Sequence, residues 1–167
     1  LAQQAVAGAQ TIAGEHGNGQ ITPLHLLVAL LSDESGPAAS ITRRAQVDPM
    51  AMISIATAAI DKLPTVSGSG AGMPHASPEL IAVFSAASAT ADAMGDSYVS
   101  VEHLLLAVAS TKSEARDLIT TVGLTEDAIS RAVMAIRDAS GVEHVDDPGA
   151  DAAMEALEKY GIDLTAM

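Results

Sequence analysis

The 167-residue sequence predicts an all-α fold built from two four-helix repeats related by a pseudo-twofold axis. Three observations predict it. One stretch occurs twice, as Ile21–Leu31 (ITPLHLLVALL) and Val99–Ala109 (VSVEHLLLAVA), at an offset of 78 positions that carries His25 onto His103. The offset extends beyond the motif, pairing Val6 with Phe84, Gly17 with Gly95, Ser32 with Ser110, Ile41 with Ile119 and, after one skipped residue, Val47 with Leu124. No window alternates apolar and polar residues as a half-buried strand would. A repeat this long implies two similar helical subdomains packed together, not a solenoid of short units.

Each element follows from local signals. Leu1–Gly14 is Ala-rich with helical period and ends near Gly14 and the turn-like HGNG at His16–Gly19. Thr22-Pro23 supplies a cap and an N1 proline for the central helix, which runs to about Asp33. That helix is apolar all round, which marks burial on every face, and it is too short to cross a bilayer. Ser35-Gly36-Pro37 breaks the chain before a short helix at Pro37–Ala45, and Asp48-Pro49 starts a fourth that reaches about Leu63. Repeat two follows the same order. Ser77-Pro78 opens a helix to Met94, Ser100 caps the second central helix, Ser113–Thr121 is the third and Thr125 caps a fourth ending near Ala139.

The expected organisation is repeat one at 1–63, a Gly/Ser/Pro-rich linker at 64–76, repeat two at 77–139, and an acidic linker with a helical segment at 140–167. The formal charge is −13, and it is uneven: residues 1–63, 64–137 and 138–167 carry −2, −4 and −7. Such a surface repels phosphate backbones, which argues against nucleic-acid binding. The tail holding most of the acid is expected to pack weakly on the rest. The chain has no Cys, excluding disulfides, thiolate metal sites and cysteine nucleophiles, and this is compatible with a cytoplasmic origin. Neither a signal peptide nor a transmembrane run is present, so no membrane partner is expected. The start at Leu1, inside a helical pattern, and the stop at Met167 read as the ends of a piece of something larger.

Catalytic and metal-binding motifs are missing. His25 and His103 lie in different repeats without an i+4 ligand partner, while His16, His75 and His144 fall in turns or linkers, so no metal site is expected. There is no GxSxG, and SGSGAG lacks the Lys and following helix of a phosphate loop. The informative signal is a difference between the repeats. On the first helix of repeat two, Leu80, Val83, Ala87, Ala91 and Met94 form a core stripe, and Ile81 and Phe84 make a second apolar row beside it. The matching repeat-one residues are Gln3 and Val6. Two readings stand: extra packing between repeats, or an exposed groove for a partner segment. Asp96 and Glu102 flank the second central helix where repeat one has Asn18 and Leu24. Helix capping accounts for them, and the asymmetry favours contact with cationic or amide-bearing ligands.

The duplicated hydroxyl-x-x-His-Leu-Leu pattern, the stretch Gly95–Val108 and the internal repeat resemble the Clp N-terminal domain. Ile21–Leu31 and the tail Ala156–Met167 (ALEKYGIDLTAM) resemble the ClpB disaggregase branch. The resemblance covers essentially the whole chain. It implies a non-catalytic, all-α domain attached to a hexameric ATP-driven unfoldase, binding exposed apolar stretches of unfolded or aggregated polypeptides in a stress response. It maps a substrate groove onto Ile81, Phe84, Asp96, Glu102 and His103, and it implies a co-chaperone system acting with the parent. ATP and Mg would belong to ATPase modules beyond Met167, so no cofactor is expected in this chain. The alternatives are an adaptor-docking domain of the ClpC and ClpA type, or a structural module that gates the hexamer.

Overall fold

The structure, a computed structural model, describes residues 2–65 and 74–140. It contains α1 (Ala2–Glu15), β1 (Gln20–Ile21), α2 (Pro23–Leu31), α3 (Pro37–Arg44), α4 (Pro49–Asp61), β2 (His75–Ala76), α5 (Pro78–Ala93), α6 (Val101–Ser110), α7 (Glu114–Thr121) and α8 (Glu126–Ser140). The helical segment predicted within 140–167, at Asp151–Tyr160, lies outside the described residues. Each start has a chemical cause. Asp48, Ser77, Ser113 and Thr125 accept hydrogen bonds from Met50, Leu80, Arg116 and Ala128 amides at 3.0–3.1 Å, satisfying donors a helix leaves free at its first turn.

Four helices stop the same way. Gly17, Gly95, Gly123 and Gln46 take positive φ, and the next residue's amide reaches back five positions, as from Asp96 to the Ala91 carbonyl at 2.9 Å and from Val47 to Thr42 at 3.0 Å. Glycine enters this left-handed turn without a Cβ clash, and the bond occupies a carbonyl the helix would strand. Counting from these ends and from the caps Gly36 and Ser113, α3 and α7 are related by 77 positions, not 78. The skipped residue therefore lies in the α2–α3 turn. Ile119 corresponds to buried Thr42 instead of Ile41, because register is set by the N-cap and not by residue identity.

The core is one cluster drawn from both halves. α1 and α4 flank the buried helix α2, and α5 and α8 flank α6. The third helices bridge the halves: α3 packs chiefly on α8 and α6, while α7 packs on α2 and α4 as well as on α6 of its own repeat. The two repeats are thus interlocked, and each completes the other's core. α2 and α6 also touch each other, which is why their apolar surface runs all the way round.

The all-α expectation needs one small amendment. β1 and β2 pair in parallel, Gln20 with His75 and Ile21 with Ala76, and Asn18 bridges to Thr65. Both ends of the Gly/Ser-rich stretch at 64–76 are thereby fastened to repeat one. Two-residue strands carry no alternation, so no sequence period announces them.

Candidate functional site

The start of each central helix is built by its histidine. His25 Nδ1 accepts the Thr22 backbone N–H at 2.8 Å, with the Thr22 hydroxyl 2.9 Å away. His103 Nδ1 does the same with Ser100, at 2.8 and 3.0 Å. Histidine thus occupies the position of Glu or Gln in a capping box. Because Nδ1 accepts, Nε2 must carry the proton and donate. In repeat one it donates to Asn18 Oδ1 at 2.9 Å, and Asn18 in turn donates to the Pro64 carbonyl at 3.1 Å. In repeat two it donates to Asp96 Oδ2 at 2.6 Å.

Burial pushes the His25 pKa down from 6.5 to about 4, with nearby His16 adding to the effect and the Thr22 amide opposing it. A neutral His25 suits both its amide donor and its neutral acceptor Asn18.

Repeat two replaces this neutral set by ions. Arg137, on α8, donates from Nη1 and Nη2 to Asp96 at 3.3 and 2.8 Å and also ion-pairs with Glu102 through Nη2. Asp96, Glu102, His103 and Arg137 are all buried. Continuing the register of α8, repeat one has Ile60 where repeat two has Arg137, and both are buried. Asn18, Leu24, His25 and Ile60 therefore correspond to Asp96, Glu102, His103 and Arg137. Glu102 Oε2 has no hydrogen-bond partner among the described residues.

Asp96, Glu102 and His103 bring ligand-type atoms within 4.8 Å of one another. A metal ion there would have to displace the Arg137 guanidinium and take the Nε2 proton that His103 gives to Asp96. The donor set is made for a guanidinium.

The predicted site residues separate into two groups. Ile81 is 58% exposed and Phe84 is half-buried against the core, so they form an accessible apolar row on the first half of α5. Asp96, Glu102 and His103 sit past the other end of α5; nine residues of helix from Phe84 to Ala93 make about 14 Å along the axis. The expectation that Asp96 and Glu102 stand as open acceptors beside the apolar row is corrected on both counts. They are remote from it along α5, and their charge is turned inward to Arg137. His103 is likewise 0% exposed, held by the cap and by Asp96. Of the apolar row, Ile81 is exposed while Phe84 is partly buried against the core, and Tyr98 and Val99 expose apolar surface in the α5–α6 connection.

Sequence reasoning missed Arg137. The signal was present: Ile129, Val133 and Ile136 mark the core stripe of α8, and Arg137 stands eight residues after Ile129 on that same stripe.

A family model described as the Clp repeat (R) N-terminal domain matches residues 1–122. The chain belongs to this family. Among similar proteins, the chaperone protein ClpB of Rhodopirellula baltica is 37% identical over 166 residues, covering 99% of this chain and 18% of that protein. ClpB of Rhodopseudomonas palustris is 39% identical over 161 residues, covering 96% and 18%. This Clp repeat domain thus spans less than a fifth of the length of those relatives. Its fold is similar to the Hsp104 N-terminal domain from Candida albicans, with a TM-score of 0.76 and 23% identity over 90% of this chain and 95% of that one. Among the described residues, no helix of the Clp repeat domain is long and apolar enough to cross a membrane.

Proposed function

We propose that this Clp repeat domain is the client-recognition module of a cytoplasmic ClpB-type disaggregase, binding exposed apolar segments of unfolded or aggregated polypeptides. The observation that carries the reading is the row Ile81–Phe84. The chain's only Phe is partly buried against the core, one turn after an Ile that is 58% exposed on the same helix. Apolar area left in water forgoes about 25 cal/mol per Å² of burial, and contiguous apolar surface of this kind marks interaction sites. An unfolded client supplies the complementary apolar side chains. The module itself performs no chemistry in this reading. ATP and Mg are used by the hexameric ring of the parent protein, to which the domain delivers clients together with a co-chaperone system. Asp96, Glu102 and His103 serve the site indirectly, fixing the start of α6 and the end of α8 and hence the packing that holds α5.

Ordering a flexible client consumes much of the gross interaction energy, so affinity should be weak, about micromolar or poorer. The test is binding of a permanently unfolded polypeptide to Ile81→Ser and Phe84→Ser. Each variant should lose most of the binding while circular dichroism and the unfolding midpoint stay near wild type. If Phe84→Ser instead costs the about 3–5 kcal/mol typical of a core aromatic, Phe84 is core and the groove fails. Unchanged binding by folded variants would favour a docking or gating module instead.

A further inference from the structure

A cleft of about 320 Å³ lies between the end of α3 and the flank of α8. Ala128, Ala132 and Ala135 line α8's side of it, and Arg44 and Arg131 supply two cations. Among the described residues no carboxylate lines the cleft, on a chain with 21 acids against 8 Lys and Arg. Arg131 pairs with Asp127 one turn back, both side chains well exposed, so that pair exchanges readily for another.

Gln46 also lines the cleft and sits at φ +65°. Its repeat-two counterpart, Gly123, uses the same left-handed turn at φ +94°. Glycine relieves the turn there; in repeat one the strained position instead carries an amide side chain to the cleft. An amide between two guanidinium groups is a donor set for carboxylates.

We propose that this cleft docks the acidic segment that follows α8, Glu143–Asp147 (EHVDD). The occupant is specified by charge and by reach. Residues 138–167 carry eight acids and one base, the strongest concentration of acid in the chain. The cleft positions 128, 132 and 135 lie on one face of α8, and the same register runs on to 139, one residue before the end of the helix at Ser140. From Ser140 back to Arg131 is about 14 Å of helix, and six extended residues span about 20 Å. Six residues are therefore long enough to return an Asp to Arg131, and Arg44 lines the same cleft. Docking fixes the direction in which the chain leaves α8. It is electrostatic and solvent-exposed, hence reversible and sensitive to salt.

Because the chain has no Cys, Val145→Cys gives a single attachment point for a nitroxide on the full 167-residue chain. Amide signals of 128–135 and 44–46 should be attenuated at low ionic strength and recover at high salt. Arg44→Glu with Arg131→Glu, both at exposed positions, should abolish the attenuation with the amide spectrum otherwise retained. Three results would overturn the proposal. They are no attenuation at low salt, attenuation that survives the double charge reversal, or attenuation that appears only between labelled and unlabelled molecules and so reports a second copy in the cleft.

Discussion

Replacing Arg137 by Met would remove the guanidinium that pairs with both buried carboxylates, Asp96 and Glu102. Asp96 would keep its bond from His103, but Glu102, 0% exposed with one oxygen already unpartnered, would have no counter-charge. Breaking a buried pair from one side costs about 3–5 kcal/mol, and at about 2–4 °C per kcal/mol for a chain of this size the midpoint should fall by roughly 6–20 °C. Repeat one supplies the rescue, because it fills the same positions with Asn18, Leu24 and Ile60. The triple variant Asp96→Asn, Glu102→Leu, Arg137→Met keeps an acceptor for His103 Nε2 and removes every ion. It should recover to within about 1 kcal/mol of wild type or exceed it, since apolar replacement of buried ion sets is often neutral or stabilising. Urea melts of the wild type and the two variants at pH 7 give the comparison. A single-variant cost below about 1 kcal/mol would mean that water solvates the cluster. A triple variant as unstable as the single one would mean that packing, not uncompensated charge, is what Arg137 contributes.

Acid should destabilise the fold through His25. Its folded pKa of about 4 lies below the ordinary 6.5, so the unfolded chain binds the proton first and stability falls as pH drops through that window. The loss by pH 4.5 should be about 2.5 kcal/mol, and a His25→Gln variant should lack that part of the slope in parallel urea melts. Gln46→Gly should raise the unfolding free energy by up to about 1 kcal/mol in urea melts, because glycine relieves the left-handed turn at some entropic cost; a drop would mean that the Gln side chain contributes more than its backbone strain. Truncation after Ser140 should change the unfolding free energy by less than about 1 kcal/mol in urea melts, as exposed ion pairs contribute little, and a larger fall would show that the tail belongs to the core.

Much of this fold was legible because its signals are local. Hydroxyl or Asp caps, half of them followed by Pro, placed most helix starts within one or two residues, and the repeated His motif revealed the pseudo-twofold. The crossing of α3 and α7 between halves was not legible, since both helices carry the same short amphipathic pattern whichever half they pack on. The positions of the candidate residues were only partly legible. Ile81 and Phe84 share one side of α5, as their spacing of three requires. The fate of Asp96 and Glu102 was hidden, because proximity in sequence to the loop after α5 says nothing about the helix length separating them from Ile81. Their partner was hidden too, 41 positions beyond Asp96. Only the comparison of Arg137 with Ile60, once register was known, exposes a charge exchange between the repeats.

The most direct measurement for the client-recognition reading is a titration of the isotopically labelled domain with an unfolded polypeptide, followed residue by residue. The amides of 78–88 on α5 should shift in a saturable manner, while the equivalent stretch of α1, which carries Gln3 and Val6 in place of Ile81 and Phe84, should not. Shifts centred on α1 or on the α3–α8 cleft, or no shift at any concentration, would contradict the account.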